Sequence, residues 1–525
     1  MKKETNRQEL LIVPSVLKTD LFGPGSEQHR VAAEFGRLVV PEKRSNPQSN
    51  SIELAFVRLR STAHDPGPPL VFLQGGPGAS GIDGLRWNLP WFTALREVGD
   101  VIALDQRGTG LSHPCLDCLE NWALPLDQPG SRAEVLRLAR ERVRSCAEFW
   151  QRQGVDLSGY TTEENAGDVD ALREALGYEQ VNLYGASYGS HLALATIKRH
   201  EAHIARAVIA LVEGPDHTLK LPSNVQKHLE HLQALVQTDP RLRVAIPNLL
   251  ELMSTVLERL KVEPVTVEVR DEKSGKLVQV CLGSFDLQWV TANGLGSRQF
   301  LAHLPARYDA MARGDFSWLA GEVLMLRRSW IGNAMSYVMD CASGASSERA
   351  LRIQMEAPET LLGTTIDFPF PEICDACGNP DLGPAFRAPF TSEVPVLFLS
   401  GSLDGRTPPS NAEEVRSGFS HSQHLIVENG AHGDETLEAP GVPETIIDFL
   451  KGNPVSLTEA KLRSLSFPSP KDKLRCFHDP RLSHIRFITA RMNSSCDSAH
   501  VHRTRVQICQ SRMLNAAILS PVRVK

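Results

Sequence analysis

Short apolar runs separated by longer amphipathic stretches give this chain its hydrophobic pattern. Runs that are rich in β-branched residues, or that alternate apolar and polar positions, predict eight strands. They are Phe35–Val40, Ile52–Leu59, Leu70–Leu73, Val101–Leu104, Val181–Tyr184, Ala207–Val212, Val394–Ser400 and His424–Val427. The first two alternate and are joined by a polar turn, which predicts an antiparallel hairpin. The later runs are continuously apolar, as in strands that helices cover on both faces.

Helical patterns lie between these strands. The best defined covers Thr162–Leu176, where Thr161 and Glu164 match a capping box and Gly177 marks the end. It leads directly into the strand that starts at Val181. Because strands and helices alternate in this way, we expect an α/β fold with a mostly parallel sheet and right-handed crossovers.

This alternation stops between Val212 and Val394. Amphipathic helical patterns such as Asn248–Leu260 and Phe300–Arg313 follow there, together with a hairpin of Val265–Val269 and Val278–Cys281. A block of this kind inside an α/β sheet predicts an inserted, mainly helical cap. The predicted division is an N-terminal extension (1–33), a first core part (34–212), a cap segment (213–393), a second core part (394–453) and a basic tail (454–525).

Composition and charge narrow the functional classes. The 525 residues are 42% apolar and 22% charged, with a formal net charge of −6, which predicts a packed globular protein and gives no electrostatic reason to expect nucleic-acid binding. No apolar run approaches the roughly 20 residues of a membrane-spanning helix. The N-terminal residues do not match a secretory signal, so we expect a cytoplasmic protein without a membrane partner. The oligomeric state is left open.

The cysteines are too few for a disulfide scaffold. Two Cys-x-x-Cys pairs, Cys115/Cys118 and Cys374/Cys377, could supply a four-thiolate zinc site only if the fold brings them together. Buried thiols or a local disulfide are the simpler interpretation, so no metal and no cofactor is expected. The tail carries 13 Lys/Arg against 4 Asp/Glu and a few cysteines and histidines, which favours a poorly ordered basic segment over a metal cluster.

The strongest chemical signal is Gly185-Ala186-Ser187-Tyr188-Gly189, which follows a predicted strand and precedes a helical pattern. A serine on such a strand–turn–helix elbow is exposed at a helix N-terminus, where negative charge is favoured. Ser187 is therefore the candidate nucleophile. The alternative is an accidental Gly-x-Ser-x-Gly loop.

A nucleophilic serine needs a base that a carboxylate orients. Asp404 follows the Val394–Ser400 strand and His432 follows the next strand, so both come after the serine at strand ends, where open α/β sheets build their sites. We predict Asp404 and His432 as the partners of Ser187. Asp434 is the weaker alternative, because no strand delivers it.

Two backbone amides should bind the oxyanion that forms on the attacked carbonyl. One is the amide of Tyr188, the residue after the nucleophile. The other is expected in the loop Gln74-Gly75-Gly76-Pro77-Gly78, after the third strand, and Gly76 is the predicted donor.

Together with Asp105-Gln-Arg-Gly-Thr-Gly110-Leu-Ser112, these motifs resemble the proline iminopeptidase branch of serine α/β-hydrolases, above all its tripeptidyl-aminopeptidase-like members. The resemblance covers about residues 34–450 and is weaker in the cap segment. It implies the α/β-hydrolase fold with a mostly parallel eight-stranded sheet. The family loop usually begins with histidine, where this chain has Gln74. Asp105–Gly110 is expected to be a turn that braces the site loops, with Arg107 as its internal tie.

The resemblance also implies an aminopeptidase that releases residues or short peptides from free N-termini. Such enzymes hold the substrate ammonium with acidic groups, and Glu213, at the start of the cap segment, is the candidate; a structural role is the alternative. The expected ligand is a peptide or small acyl substrate. Alternatives are a carboxylesterase or lactonase with the same machinery, or a non-catalytic binding protein. Epoxide hydrolysis is disfavoured, because those branches carry Asp at the elbow.

Overall fold

The computed structural model describes residues 17–22, 30–378 and 380–468. These residues form twelve strands: β1 (Leu17–Phe22), β2 (Arg30–Pro41), β3 (Ser51–Leu59), β4 (Leu70–Leu73), β5 (Val101–Leu104), β6 (Val181–Ala186), β7 (Ile204–Ala210), β8 (Val265–Arg270), β9 (Leu277–Leu282), β10 (Val396–Gly401), β11 (Ser422–Glu428) and β12 (Glu459–Lys461).

The same residues form sixteen α-helices besides short 3-10 turns. They are α1 (Gly81–Trp87), α2 (Leu89–Ala94), α3 (Arg132–Arg152), α4 (Thr162–Ala175), α5 (Tyr188–His200), α6 (Pro222–Thr238), α7 (Pro240–Ala245), α8 (Leu249–Val262), α9 (Ser284–Gly294), α10 (Arg298–Ala312), α11 (Ser317–Arg327), α12 (Ala334–Ser343), α13 (Ser347–Glu356), α14 (Pro384–Arg387), α15 (Pro409–Arg416) and α16 (Val442–Lys451).

Ten strands form one sheet in the order β1-β2-β3-β5-β4-β6-β7-β10-β11-β12. The pairs β1–β2, β2–β3 and β3–β5 are antiparallel, and all the remaining pairs of neighbouring strands in this sheet are parallel. The predicted hairpin of β2 and β3 is thus confirmed, while the expected number of eight strands is wrong, since β1 and β12 are added at the edges. Their sequences are short and mixed with charged residues, so no hydrophobic run marked them.

Alternate side chains of the central strands pack on opposite faces of the sheet. In β4, Val71 and Leu73 belong to a hydrophobic cluster with α3, α4 and α5, whereas Leu70 and Phe72 belong to a cluster with α1, α2 and α16. Burial on both faces explains why these strands read as continuous apolar runs.

The helix that precedes the nucleophile strand begins as predicted, with one difference. Thr161 Oγ1 accepts a hydrogen bond from the amide of Glu164 at 3.3 Å, and Gly177 after the helix has φ +75°. The carboxylate of Glu164, however, accepts a hydrogen bond from the backbone amide of Arg44 at 2.9 Å. The Glu164 side chain, which was expected to close the capping box, therefore attaches α4 to the segment that follows β2.

The cap segment has a hydrophobic core of its own. Helices α6, α8, α9, α10 and α11 and the antiparallel hairpin of β8 and β9 contribute to it, which confirms the predicted helical and hairpin patterns of this stretch. Leu403 and Ala431, in the loops after β10 and β11, belong to the same cluster. The cap segment therefore packs directly on the two loops that carry Asp404 and His432. The proposed domain boundaries stay a prediction.

Two disulfides replace the zinc site that the Cys-x-x-Cys pairs allowed. Cys118 is bonded to Cys146 and Cys341 to Cys374, so neither motif closes on itself and a four-thiolate site is wrong. Disulfides persist mainly in oxidising compartments and therefore weigh against a reducing cytosol. The cytoplasmic location stays a prediction.

The predicted basic tail is folded at its start. β12 pairs with β11, and Phe467 is buried against the cap core. Apolar side chains spaced along a polar stretch thus attach residues up to 468 to the molecule, although the segment lacks a clear period. The tail cysteines and histidines lie outside the described residues. In the part of the chain that is described, we find no helix with the length and hydrophobicity needed to span a bilayer.

Candidate active site

Ser187 occupies a sharp turn between β6 and α5. It is the N-cap of α5 and has φ 57° and ψ −128°, a conformation that non-glycine residues rarely adopt. The glycines on either side make the turn possible. A Cβ on Gly185 would lie 2.1 Å from the carbonyl oxygen of Gly189, and one on Gly189 would lie 1.9 Å from that of Leu73. The Gly-x-Ser-x-Gly spacing is thus required by close backbone approach.

His432 and Asp404 converge on this serine. Ser187 Oγ lies 2.9 Å from His432 Nε2, and His432 Nδ1 lies 2.8 Å from Asp404 Oδ2. The two residues follow β11 and β10, which are parallel neighbours, so their loops emerge at the same sheet edge. The structure therefore brings the three predicted side chains together as a hydrogen-bonded relay.

The buried carboxylate of Asp404 is stabilised in its charged form. Burial alone would raise its pKa, but the neighbouring His432 and hydrogen bonds from Thr407 hold the pKa below the usual range. Oδ1 accepts from the amides of Arg406 and Thr407 at 2.8 and 2.9 Å, and Oδ2 accepts from Thr407 Oγ1 at 2.7 Å. An ionised carboxylate held in this way can orient His432 and stabilise its protonated form.

The glycine loop after β4 lies beside the serine. A Cβ on Gly75 would be 3.0 Å from Ser187 Cβ and 3.6 Å from its Oγ, so Gly75 lies beside the nucleophile. The predicted donor Gly76 is the next residue and has φ +125°. Tyr188 begins α5, where helix geometry leaves the amide without an intrahelical acceptor. Gly76 as the second oxyanion donor stays a prediction.

Glu213 is linked to the nucleophile through one hydroxyl. Ser190 Oγ donates to the carbonyl oxygen of Ser187 at 2.5 Å and accepts from the amide of Glu213 at 2.8 Å. The Glu213 side chain is buried and pairs with Lys220, whose Nζ lies 3.4 Å from Oε2. The predicted Glu213 therefore lies next to the nucleophile elbow, but with a cation already beside it.

Two further acids, which the sequence analysis did not identify, are near Glu213. Burial and the charge of Glu213 raise the pKa of Asp340 well above its usual range. Burial also raises the pKa of Asp367 to about 6, and its Oδ2 accepts from the amide of Lys220 at 2.8 Å. The charges of Asp340 and Glu213 also help burial to raise the pKa of the Tyr188 hydroxyl. Nothing in the local patterns of 340 and 367 marks them, because only the packing of the cap segment brings them together.

The Asp105–Gly110 turn braces the site as expected, but Arg107 is not an internal tie. Asp105 accepts hydrogen bonds from the amides of Ile82 and Leu111 at 2.9 and 2.7 Å. The fully buried Arg107 instead reaches α4, where its Nε and second terminal nitrogen lie 2.8 and 2.7 Å from the two oxygens of Asp168. A buried guanidinium needs acceptors for its donors, and here Asp168 on α4 and the carbonyl oxygens of Glu42 and Gly159 supply them, so Arg107 fastens the turn to neighbouring segments.

One group among the described residues has the chemistry of a metal site, and it is remote from the serine. Asp170, His200 and His203 place their ligand atoms within 4.8 Å of one another. Asp170 Oδ1, however, already accepts from Arg173 Nε and from His203 Nδ1, both at 2.7 Å. A guanidinium bonded to the only carboxylate opposes a divalent cation, so the group is better explained as an ion-pair network.

Known proteins resemble this chain. It matches the alpha/beta hydrolase fold family over residues 68–434. A tripeptidyl aminopeptidase of Streptomyces lividans is 32% identical over 198 residues, 35% of this chain and 36% of the relative. The serine protease Hip1 of Mycobacterium tuberculosis is 30% identical over 169 residues, which are 30% of this chain and 32% of the relative.

A more distant match agrees with these two. The proline iminopeptidase of Neisseria gonorrhoeae is 26% identical over 157 residues, 30% of this chain and 36% of the relative. The chain thus spans about a third of the length of these curated relatives. Peptidases of the serine type are among them, which confirms the resemblance found in the motifs. Since the family match also covers more than half of its 525 residues, this chain belongs to the α/β hydrolase fold family.

Proposed function

We propose that this protein is a serine hydrolase that releases single residues or short peptides from substrates with a free N-terminus. The hydrogen-bonded relay of Ser187, His432 and Asp404 is the observation that carries the proposal. A binding scaffold has no need for a strained serine, an imidazole at 2.9 Å and a buried carboxylate behind it.

The relay supports an acyl-enzyme mechanism. Ser187 Oγ attacks the substrate carbonyl while His432 Nε2 accepts its proton, and Asp404 holds the imidazole through Nδ1. The oxyanion is bound by the Tyr188 amide and by an amide of the loop at Gly75 and Gly76. His432 then donates the proton to the leaving amine. A water, deprotonated by the same imidazole, releases the acyl group and regenerates the serine.

The acidic groups beside the elbow support a free amino terminus as the binding determinant. Glu213, Asp340 and Asp367 form an acidic cluster with Lys220, whose Nζ lies 3.4 Å from Glu213 Oε2. The positive charges of Lys220 and Arg406 also act on Asp340 and Asp367. Burial raises the pKa of Asp340, and the negative charges of Glu213 and Asp367 raise it further. The ammonium of a substrate would offset the repulsion between the carboxylates, so the cluster, in which three acids face the two cations Lys220 and Arg406, is suited to bind one further cation.

An esterase or lactonase is the second candidate, and Lys220 favours it. Because the ammonium of Lys220 already lies 3.4 Å from Glu213 Oε2, an uncharged ester could bind without displacing any charge. An aminopeptidase substrate would have to share Glu213 with Lys220 or use Asp340 and Asp367. The same relay serves both reactions.

Covalent labelling tests the hydrolase proposal itself. Purified protein should react with a fluorophosphonate probe, and Ser187→Ala should abolish the labelling. Ser336→Ala is a suitable control, because Ser336 Oγ donates to the carbonyl of Asn333 at 2.7 Å in the cap segment. Wild-type protein that is folded and unlabelled would favour the binding-protein alternative.

Substrate screening then separates peptidase from esterase. We expect cleavage of alanyl- and prolyl-anilides and of unblocked tripeptide anilides, and at least 10-fold less cleavage of the same peptides with an acetylated N-terminus. Activity confined to p-nitrophenyl esters would overturn the peptidase assignment and leave the hydrolase assignment standing. Activity on blocked and free peptides alike would overturn the role of the acidic cluster.

A further inference from the structure

A chain of hydrogen bonds between buried side chains connects the two parts of the oxyanion site, the glycine loop after β4 and the start of α5. Gln106 Nε2 donates to the carbonyl oxygen of Gln74 at 2.8 Å, and Asn165 Nδ2 donates to Gln106 Oε1 at 3.2 Å. The same Asn165 nitrogen lies 3.4 Å from the hydroxyl of Tyr188. Gln106, Asn165 and Tyr188 are each 1% exposed, so water cannot replace these bonds at little cost.

Gln106 acts on the loop amide through one planar group. The carbonyl of Gln74 and the N–H of Gly75 belong to the same trans peptide and therefore point in opposite directions. By holding the Gln74 carbonyl, Gln106 fixes the direction of the Gly75 N–H. Gly75 lies beside Ser187, since a Cβ on it would be 3.0 Å from Ser187 Cβ, and its N–H donates to Gln74 Oε1 at 3.0 Å.

The start of α5 is held by the same chain of hydrogen bonds. Tyr188 supplies the second amide, and its hydroxyl is fixed by Asn165 and by Thr162 Oγ1 at 3.2 Å. The orientation of the side-chain amides of Gln106 and Asn165 is determined as well. The Gln74 carbonyl needs a donor, which turns Gln106 Oε1 toward Asn165, and that oxygen needs the Asn165 NH₂. Asn165 and Asp168, the partner of Arg107, lie one turn apart on α4, so one helix holds both Gln106 and Arg107.

We propose that Gln106 and Asn165 are positioning residues that set the spacing and direction of the Gly75 and Tyr188 amides at the oxyanion site. Neither side chain contacts the reacting atoms. This inference rests on the proposed attack of Ser187 on a carbonyl, but it does not depend on whether the substrate is a peptide or an ester. It gives a function to the glutamine of the Asp105-Gln106-Arg107 turn, which the sequence analysis left without one.

Gln106→Met tests the proposal, because methionine keeps the length of the side chain and removes both hydrogen bonds. Loss of one oxyanion donor costs about 10²–10³ in kcat, so a misdirected donor should lower kcat about 10- to 100-fold, with KM within about threefold. The rate of fluorophosphonate labelling should fall in parallel. Affinity for a peptide boronate, which forms a tetrahedral adduct, should fall by the same factor, whereas product affinity should not.

Asn182→Leu is the matched control. Asn182 is a fully buried amide of β6 that donates to the Pro68 carbonyl at 3.0 Å, at the end of the strand remote from Ser187. It should lower the melting temperature without selective loss of boronate affinity. A Gln106→Met variant that keeps kcat and boronate affinity within twofold of wild type overturns the proposal, as does a loss that the Asn182→Leu control reproduces.

A second variant keeps the test valid if Gln106→Met does not fold. Asn165→Leu leaves the bond from Gln106 to Gln74 in place but frees Gln106 Oε1 and the Tyr188 hydroxyl. We expect an intermediate loss of kcat, about 3- to 10-fold, from the weaker restraint. The double variant should lose little more than Gln106→Met alone, since the two residues act in one chain. Additive losses of kcat in the double variant would contradict the proposal that Gln106 and Asn165 act through one chain of hydrogen bonds. Wild-type protein without labelling or turnover would instead overturn the proposed function.

Discussion

The carbonyl oxygen of Gly296 accepts a hydrogen bond from the backbone amide of His432 at 3.0 Å. Gly296 lies in the cap segment, two residues after the end of α9, whereas His432 belongs to the loop after β11. The cap segment therefore touches the backbone of the relay histidine rather than only covering the site. A side chain here would be crowded, because a Cβ on Gly296 would be 3.0 Å from His432 Cβ and 3.2 Å from Arg406 Cδ, so these neighbours would have to move by a few tenths of an ångström.

Gly296→Ala should for this reason displace His432. We expect kcat to fall about 10-fold, since small misplacements of reacting groups are costly, with a loss of less than about 1 kcal/mol in the free energy of unfolding. Gly321→Ala is the control, because no atom of the described residues lies within 4 Å of a Cβ at that helical position and alanine should stabilise α11 slightly. Steady-state kinetics beside chemical denaturation separate the two effects. Unchanged kcat in Gly296→Ala would show that the loop carrying His432 accommodates the methyl group without displacing the imidazole.

Thr407→Val should weaken the relay without changing its shape. The lost hydroxyl donates to Asp404 Oδ2 at 2.7 Å, and a hydrogen bond to a charged group contributes about 1.5–3 kcal/mol. We therefore expect kcat to fall about 10-fold or more, with KM little changed. Thr407→Ser restores the hydroxyl and should recover most of the activity. If Thr407→Ser is as impaired as Thr407→Val, the methyl packing matters and the hydrogen bond does not.

Asp340→Asn should stabilise the protein and impair the proposed peptidase. Burial raises the pKa of Asp340 in the folded state, so its contribution to stability is greatest below the unfolded pKa and is lost as pH rises through the folded pKa. Removing the charge should add about 1 kcal/mol to the free energy of unfolding at pH 8 and nothing at pH 3.

The same variant should raise KM for unblocked peptides and leave ester hydrolysis unchanged. Urea unfolding at pH 3, 5 and 8 and kinetics with both substrates check the two expectations. Greater stability with unaltered peptide KM would remove Asp340 from the ammonium site. Lower stability at pH 8 would contradict its unfavourable charge.

The Cys341–Cys374 disulfide should affect both stability and substrate affinity. Its two cysteines are 33 residues apart in sequence, and Cys341 directly follows Asp340 in α12. The cysteines of Cys118–Cys146 are 28 residues apart, in segments that do not carry the acids of the cluster. Replacing either pair by alanine should cost about 3–4 kcal/mol by the loop-closure model. Only the Cys341/Cys374 pair should also raise peptide KM. Equal effects of both pairs on KM would indicate a general loss of order.

Local chemistry was readable from the sequence wherever one short segment contains it. The elbow at Ser187, the strand-end positions of Asp404 and His432, and the central strands β4 and β5 follow from motif spacing and from apolar runs. Edge strands such as β12 were not readable, because an exposed strand needs no hydrophobic run. The pairing of Cys341 with Cys374 was hidden for another reason, since spacing does not encode connectivity.

The sequence by itself determined the α/β order of elements and the identity of the nucleophile, base and acid, because these depend on periodicity and on residues next to strand ends. Only the tertiary structure decided that Asp340 and Asp367 lie near Glu213, that Gly75 lies beside Ser187, and that Gln106 and Asn165 connect the loop after β4 with Tyr188. These relationships arise where distant segments pack. A side chain that is unremarkable in its own segment acquires its chemistry from neighbours that the fold supplies.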